Sequence, residues 1–387
     1  MAAPLVAILV FGAGVLVGGH PDATGITELP DGPRSFLLGG SGESLPSQVL
    51  DTLENGYYED FDEAKLQQSS VDAIIQALGD PYTDYLSPEE LRALQVHTEG
   101  AYFGVGLEVA QRGGAVVVTR VFVDSPAARA EIEVGDRVLA VDGHRVAGRN
   151  LDTVVGGIRG PEGSSVTLRV ATPGATPRTV ELQRARIAVS PVRSRLVRVG
   201  GTPVGYLKLL RFTEGAGDAM RARVERLKER GVRAWVLDLR GDPGGLVAEA
   251  VSVAGVFLPD DTLVVTTEGR RSKKRELRTE DPPATDLPMA VLVDENSASS
   301  SEILAGALRD DDRATLVGTR TFGKALVQTT RTLRDGGALK LTTARYVTPD
   351  GHDVTGTGLH PSVRVVDDPA TPVDEALERA LAVAAAG

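Results

Sequence analysis

The chain has 387 residues, enough for two or three domains, and its 42% hydrophobic and 25% charged residues exclude a wholly disordered or polytopic membrane protein. Its 53 acidic residues outnumber its 42 lysines and arginines, and the net charge of -11 argues against a nucleic-acid partner. Because cysteine is absent, disulfides and a cysteine nucleophile are excluded. The five histidines are scattered without the spacing of metal ligands, and no metal or other cofactor is expected.

The first 19 residues contain no charged side chain and are rich in Val, Leu, Ala and Gly. As a helix they would span roughly 28 Å, close to the ~30 Å hydrocarbon core of a bilayer. We interpret residues 1–19 as a signal anchor, which predicts a single-pass cell-membrane protein with its folded domains outside the cytoplasm. Cleavage of this segment would make the protein secreted instead, and a buried core helix is the alternative. Residues 20–44 are rich in Gly, Pro, Asp and Ser, which predicts a flexible tether.

Residues 45–98 are predicted to form a small helical segment. Apolar side chains recur there at helical spacing, as at Val71, Ile74 and Leu78. A serine before a proline, followed by two acids at 87–90, predicts that a further helix begins at this point.

Residues 99–185 change to short alternating runs, which predict a β-rich domain. One helix is predicted at 151–158, and the predicted strands are 105–109, 115–122, 137–141 and 166–170. The motifs YFGVGL at 102–107, SPAA at 125–128 and VGDRVLAVDG at 134–143 resemble a PDZ domain of the circularly arranged bacterial type.

The first of these motifs suits the binding of a free protein C-terminus. Gly104 and Gly106 allow the loop to point its amides inward as a nest for a carboxylate, while the following strand offers an edge for an extended peptide. A Gly-x-Gly loop alone is more often only a tight turn, so the surrounding motifs decide the interpretation. The predicted peptide-binding residues are Gly104, Val105, Gly106 and Leu107, with Val154, Val155 or Ile158 of the neighbouring helix facing the last apolar side chain of the peptide.

Residues 186–368 alternate strands with helices, which predicts an α/β domain with a partly parallel sheet. Buried strands at 235–239, 290–293 and 315–318 each lead into a turn rich in glycine or polar residues. Since ligands in such sheets bind at the carboxyl ends of the strands, these three turns are predicted to form the functional site. The basic stretch 270–278 is predicted to be a solvated loop.

The second and third turns carry a serine cluster and a single lysine. The serines at 297–301 precede a helix whose N-terminus can stabilise an oxyanion, although helix capping is the simpler role and Ser301 is the expected cap. Lys324 lies among glycine and apolar residues, where desolvation would lower its pKa and leave a neutral amine that can take a serine proton. The loop 318–324 imitates a phosphate-binding loop, but Ala325 replaces the required Ser or Thr, so a nucleotide is not expected.

These turns resemble those of the C-terminal processing peptidases, also called tail-specific proteases. The resemblance rests on LDLRGDPGG at 237–245, SASSSEI at 297–303, TFGK at 321–324, GDPY at 79–82 and LTTARY at 341–346. With the PDZ region it extends over nearly everything after residue 45. It implies a Ser-Lys dyad in an α/β serine-protease domain of the tail-specific protease or crotonase-like architecture.

By this resemblance Ser299 would be the nucleophile and Lys324 the general base. Gln328, one helical turn after the lysine, would orient its amine. Asp310 matches an acidic position that is functionally important in some members of the family.

The resemblance also implies an oxyanion hole made by the amide of Ser300 and one amide of the glycine turn, Gly244 or Gly245. Glycine suits this role because a turn without a Cβ atom can point an amide at the substrate oxygen. Two residues depart from the family pattern: Asp242 stands in place of the commoner Asn, and Ala325 in place of the commoner Gly. Neither departure removes a reacting group.

The sequence therefore predicts a multidomain α/β protein that acts as a serine endopeptidase and cleaves through an acyl-enzyme. Its partners would be protein substrates with free C-terminal tails and, through the anchor, the membrane; a homo-oligomer is left open. The alternative is a proteolytically inactive PDZ scaffold that binds protein C-termini. The predicted parts are the anchor (1–19), tether (20–44), helical segment (45–98), PDZ domain (99–185), protease domain (186–368) and C-terminal helix (369–387).

Overall fold

The computed structural model describes residues 45–59, 61, 71–270, 273–368 and 370–387. The predicted signal anchor (1–19) and tether (20–44) lie outside the described residues. Within the described ranges, no helix is both long enough and apolar enough to cross a membrane.

The described elements alternate along the chain much as the hydrophobic patterns predict. The helices are α1 (Leu45–Gly56), α2 (Val71–Leu78), α3 (Pro88–Thr98), α4 (Pro126–Arg129), α5 (Leu151–Ile158), α6 (Ala216–Lys228), α7 (Val247–Ala254), α8 (Ser300–Asp310) and α9 (Glu375–Ala386). The strands are β1 (Asp84–Leu86), β2 (Ala101–Gly104), β3 (Leu107–Arg112), β4 (Ala115–Val121), β5 (Arg137–Val141), β6 (His144–Arg145), β7 (Ser165–Ala171), β8 (Arg178–Gln183), β9 (Ala185–Ala188), β10 (Val192–Val199), β11 (Thr202–Leu209), β12 (Ala234–Asp238), β13 (Leu263–Glu268), β14 (Arg275–Arg278), β15 (Met289–Val293), β16 (Thr315–Gly318), β17 (Leu326–Thr332), β18 (Ala338–Val347) and β19 (Val363–Arg364).

The smaller of two compact units combines the helical segment with distant strand residues. Its described residues are 45–59, 61, 71–88, 269–270 and 328–343. The apolar stripe of α1 and α2 shares one hydrophobic core with the first half of β18, which also pairs antiparallel with β1. The buried members of this core are Val49, Leu50, Leu53, Tyr57, Ile74, Leu333, Leu339 and Leu341.

The first part of the larger unit is β-rich, as predicted. Strands β3, β4, β5, β7 and β8 form an antiparallel sheet in that order, with β6 paired to β5, and the alternate residues Val116 and Val118 of β4 are buried in its core. Helix α5 has the predicted bounds. Strand β3 begins at Leu107 rather than residue 105, because Gly106 turns the chain with a φ of +81° and accepts a hydrogen bond from the Phe122 amide.

The second part of the larger unit is a layered α/β fold. Its sheet has the order β10-β11-β12-β15-β16-β19, in which only the β10–β11 pair is antiparallel. Alternate residues of β12 enter different cores: Trp235 packs on the side of α6, α7 and α8, and Val236 on the side of α9. Burial on both faces explains why these strands are continuous apolar runs.

Two local predictions are wrong. Residues Arg275–Arg278 form β14, antiparallel to β13, because Leu277 packs against the domain core; they are not part of a solvated loop. Gln328 lies on β17 and not one helical turn after Lys324. The run LVQTTRT is rich in β-branched residues, which fit a pleated strand better than a helix.

Candidate active site

Three neighbouring parallel strands end at the same edge of the α/β sheet. β15 lies between β12 and β16, and both pairings are parallel. Hydrogen bonds join the turns that follow them: the Ser301 hydroxyl donates to the Asp242 carbonyl at 2.9 Å, and the Phe322 amide donates to the Ser297 carbonyl at 3.0 Å. The glycine turn, the serine cluster and the lysine loop therefore meet as the sequence predicts.

Ser299 is the N-cap residue of α8 and is half-buried. Its backbone has φ 56° and ψ -114°, a conformation that residues other than glycine rarely adopt. A strained turn between a strand and a helix is also how α/β hydrolases expose a nucleophilic serine. The expectation that Ser301 caps the helix is wrong, because Ser301 lies inside α8 and is fully buried.

Lys324 lies in an irregular segment just before β17 and is half-buried. Its amide donates to Glu302 Oε2 at 2.9 Å, and the Ser299 amide donates to the same oxygen at 3.0 Å. The two amide nitrogens are thus within about 6 Å of each other, although Ser299 and Lys324 are on separate segments. The backbones of the predicted nucleophile and base are therefore neighbours.

Glu302 was not singled out as a functional residue from the sequence. It is 0% exposed and accepts hydrogen bonds from the Thr321 hydroxyl (2.6 Å) and the Gly323 amide (2.7 Å) in addition to the two amides above. The signal that could have found it is the spacing Ser-x-x-Glu at 299–302, the pattern of a capping box. That pattern also identifies Ser299, rather than Ser301, as the cap.

The glycine turn lies directly beside Ser299. The amide of Gly244 donates to Asp242 Oδ1 at 2.9 Å and so is already engaged. Gly245 is exposed, and its carbonyl accepts a hydrogen bond from the Ser300 hydroxyl at 3.0 Å. Among the described residues, neither the Gly245 amide nor the Ser300 amide donates a hydrogen bond, so these two donors fit an oxyanion hole better than Gly244 does.

Asp242 is the residue that departs from the commoner Asn, and it is 0% exposed. Burial raises its pKa to about 7, although the Gly244 amide and the positive charges of Arg211 and Lys208 act in the opposite direction. Its Oδ2 has no hydrogen-bond partner among the described residues. The glycine turn is therefore hydrogen-bonded, through the Gly244 amide, to a carboxyl group whose pKa lies near neutrality.

Two other predicted residues have different positions. Asp310 is at the far end of α8, about 16 Å from Ser299 along the helix axis. Its carboxylate binds Arg309 and accepts from the Asp350 amide, so it has no direct access to the nucleophile. The Gln328 side-chain nitrogen is buried and has no hydrogen-bond partner within the described chain.

The PDZ-like part contains a cavity of about 410 Å³ between β3 and α5. Gly104, Val105, Leu107, Val155 and Ile158 line it, as predicted from the sequence. The remaining two predicted residues do not line it: Val154 is buried in the domain core, and Gly106 shapes the loop, where a Cβ atom would be 2.2 Å from Ser125 Cβ.

Arg159 lines the same cavity and was not predicted. It is exposed at the end of α5, with its guanidinium 5.4 Å from the centre of the Tyr102 ring. A cation at this place would attract the carboxylate of a bound tail. On the other wall, Glu108 forms a salt bridge of 2.6 Å with Arg193 of β10, which links the cavity to the α/β part.

Comparison with known protein families identifies two regions of the chain. Residues 203–365 match the family described as Peptidase family S41, and residues 117–172 match the PDZ domain. A probable CtpA-like serine protease of Staphylococcus haemolyticus is 34% identical over 317 residues, 81% of this chain and 63% of that protein. A similarly described protein of Staphylococcus epidermidis is 36% identical over 320 residues, 82% of this chain and 64% of its own. The chain thus spans less than two thirds of the length of these relatives.

Two solved structures are similar to this chain over most of its length. The photosystem II D1 C-terminal processing protease is 30% identical, with a TM-score of 0.53 over 86% of this chain and 95% of that chain. A putative S41 protease from Bacteroides fragilis has a TM-score of 0.56 over 84% of this chain and 92% of its own, but at 16% identity it shows the fold alone.

Proposed function

We propose that this chain, which belongs to peptidase family S41 and contains a PDZ domain, is a serine endopeptidase that captures protein C-terminal tails and cleaves them through Ser299 and Lys324. The observation that carries the proposal is the meeting of three turns at one sheet edge. In these turns a serine lies at a helix N-terminus, and the lysine amide nitrogen lies within about 6 Å of the serine amide nitrogen. Beside them are the amides of Gly245 and Ser300, which donate no hydrogen bond among the described residues.

The chemistry follows from these positions. Neutral Lys324 takes the proton of the Ser299 hydroxyl as its oxygen attacks the scissile carbonyl. The amides of Gly245 and Ser300 stabilise the negative oxygen of the tetrahedral intermediate, with roughly 3 kcal/mol expected from one such donor. Protonated Lys324 then gives its proton to the leaving amine, and a water molecule activated by the lysine releases the acyl group from the serine. Because the lysine must be neutral, activity should rise toward alkaline pH.

The PDZ domain would supply the substrate. The loop at 104–107, with the charge of Arg159 beside it, suits a terminal carboxylate, and Val155 and Ile158 suit an apolar last side chain. The predicted role of Gln328, and a location outside the cytoplasm in anchored or secreted form, stay predictions from the sequence alone.

The test uses one unfolded protein that carries either a free apolar C-terminus or an amidated one. The intact chain should cleave the free form preferentially, Ser299→Ala should abolish cleavage, and Ser194→Ala, a change in a half-buried serine of β10, should not. Cleavage that ignores amidation would remove the tail-recognition part of the proposal. Tail binding without cleavage by the unmutated chain would favour the inactive scaffold instead.

A further inference from the structure

The nucleophile and the base are on segments that no helix or sheet hydrogen bond joins directly. Ser299 is in a strained cap conformation, and Lys324 is in an irregular loop. Proton transfer requires the two reacting side chains to be closely aligned, since a displacement of about 1 Å can cost ~10²-fold in rate. Something must therefore fix the two backbones relative to each other.

On one side, a single carboxylate performs this task. Glu302 receives four donors and donates to none in return, which fits an ionised carboxylate with its lone pairs occupied. Its Oε2 binds the Ser299 and Lys324 amides, while its Oε1 binds Thr321 and Gly323 of the lysine loop. Because Glu302 is itself on the rigid helix α8, it ties the lysine loop to the helix that carries the serine.

On the other side, a phenol performs the matching task. Tyr346 of β18 is 1% exposed, and its hydroxyl lies 2.8 Å from the Lys324 carbonyl and 3.1 Å from the Ser299 carbonyl. Its own amide donates to the Ala325 carbonyl at 3.0 Å. Burial and the nearby charge of Glu302 raise the pKa of Tyr346 well above its usual value, so the hydroxyl stays a donor throughout the working pH range.

We propose that Glu302 and Tyr346 act together as positioning residues for Ser299 and Lys324. The carboxylate accepts from both amides, and the single hydroxyl hydrogen of the phenol is shared between both carbonyls, which fixes the positions of the nucleophile and the base relative to each other. This rests on the proposed function, since it assumes that these two residues react. Glu302 and Tyr346 are 0% and 1% exposed, so neither side chain is open to contact with a substrate. Their effect should therefore fall on the chemical step and not on substrate binding.

Tyr346→Phe tests the carbonyl side, because it removes one hydroxyl and keeps the ring in the core. We expect kcat on a peptide substrate to fall at least tenfold while KM stays within twofold. The matched control is Tyr206→Phe, which removes another partly buried hydroxyl of the same domain. The Tyr206 hydroxyl donates to Asp238 Oδ2 at 2.7 Å and does not bind the Ser299 or Lys324 backbone. The control should lower the melting temperature by a similar amount and leave kcat within twofold.

Glu302→Gln tests the amide side. The NH2 group of the glutamine cannot accept hydrogen bonds, so two of the four donors that bind Glu302 would lose their acceptor. We therefore expect kcat to fall further than in Tyr346→Phe. Loss of the negative charge beside the lysine loop should also shift the midpoint of the kcat/KM profile to lower pH, a readout that a purely structural role would not move. If Glu302→Gln does not fold, the comparison of Tyr346→Phe with Tyr206→Phe decides.

The outcomes separate this inference from the proposed function. Cleavage that survives Ser299→Ala would overturn the proposed function and this inference with it. If Ser299→Ala is inactive but Tyr346→Phe keeps kcat within twofold of the unmutated chain, only the positioning inference is wrong. It is equally wrong if Tyr346→Phe and Tyr206→Phe lose kcat to the same degree.

Discussion

Gly244 packs directly against Ser300: a Cβ atom built on Gly244 would be 2.9 Å from the Ser300 amide nitrogen. The same atom would be 3.0 Å from Ser299 Cβ and 2.7 Å from the Ala298 carbonyl oxygen. Gly244→Ala should therefore push the glycine turn away from the serine cluster and misplace the Gly245 amide. We expect kcat to fall by about 10²- to 10³-fold, the range for loss of an oxyanion donor.

Gly241→Ala is the matched control for this prediction. Gly241 is in the same turn and also has a positive φ, +70° against +96° for Gly244, but a Cβ atom there would meet nothing within 4 Å. It imposes a similar backbone strain without the contact. Equal losses of kcat in the two variants would show that strain in the turn, and not its closeness to Ser299, controls the rate.

The buried carboxyl of Asp242 should make stability depend on pH. Its folded-state pKa of about 7 lies above the ordinary 3.8, so the folded chain holds a proton that the unfolded chain releases between these values. The free energy of unfolding should consequently fall as pH rises from about 4 to about 7. Asp242→Asn keeps an acceptor for the Gly244 amide but cannot ionise, and should be more stable than the unmutated chain at pH 8.5 by about 1–3 kcal/mol.

Urea unfolding at pH 5 and pH 8.5 measures this difference. The stabilisation should be largest at pH 8.5 and small at pH 5, where the carboxyl is protonated. Asp281→Asn, a change in an exposed carboxyl, should not alter the pH dependence. The same gain at both pH values would contradict a titrating Asp242.

A buried ion pair should hold α9 on the sheet. Burial alone would raise the pKa of Asp238, but the hydrogen bonds and charge of Arg240 outweigh it and hold that pKa below the ordinary value. Arg240 also binds Asp374 at the start of α9 at 2.8 Å. Arg240→Met would leave the fully buried Asp238 carboxylate with weaker partners, and should lower the free energy of unfolding at pH 7 by about 3 kcal/mol.

Asp374→Asn is the comparison for this pair, because its side chain is 43% exposed and its loss should cost less than about 1 kcal/mol. Since the folded-state pKa of Asp238 is lowered, its contribution is present above the ordinary pKa and disappears as pH falls through the lowered one. Urea unfolding at decreasing pH should therefore show the gap between the two variants closing. A gap that persists in acid would argue for lost packing rather than lost charge.

The positive charge of Arg159 should contribute to tail recognition. In a Ser299→Ala background, which prevents cleavage, Arg159→Gln should weaken binding of a peptide with a free C-terminus by about threefold to tenfold. Fluorescence anisotropy of labelled peptides at low and high salt measures this, and the loss should shrink at high salt. Arg169→Gln, an exposed arginine of β7 away from the cavity, is the control. An equal effect on an amidated peptide would show that Arg159 does not bind the carboxylate.

The parts of the fold that the sequence predicts well are those in which local pattern and burial agree. The alternating runs of β4 and β5 and the bounds of α5 follow from periodicity alone, because one face of each element is buried. The meeting of the three turns follows from the parallel order of β12, β15 and β16, since parallel strands present their carboxyl ends at one edge.

The parts that the sequence does not predict depend on contacts between distant segments. Leu339 and Leu341 complete the core under α1, and no local pattern connects residues so far apart. Gln328, predicted by resemblance to lie one helical turn after Lys324, is on a strand, because strand pairing and not local spacing decides its conformation. The Tyr346 hydroxyl is invisible as a functional group until the fold brings the Ser299 and Lys324 carbonyls to it.

The strained backbone of Ser299, at φ 56° and ψ -114°, means that the residue best for stability at this position is not the residue needed for the proposed reaction. Glycine would adopt this conformation freely, whereas serine pays about 1–3 kcal/mol for it. Ser299→Gly should accordingly destroy cleavage and at the same time raise the melting temperature. Replacement of this serine by glycine would thus stabilise the chain, so retention of the hydroxyl is expected only if the proposed reaction is selected for.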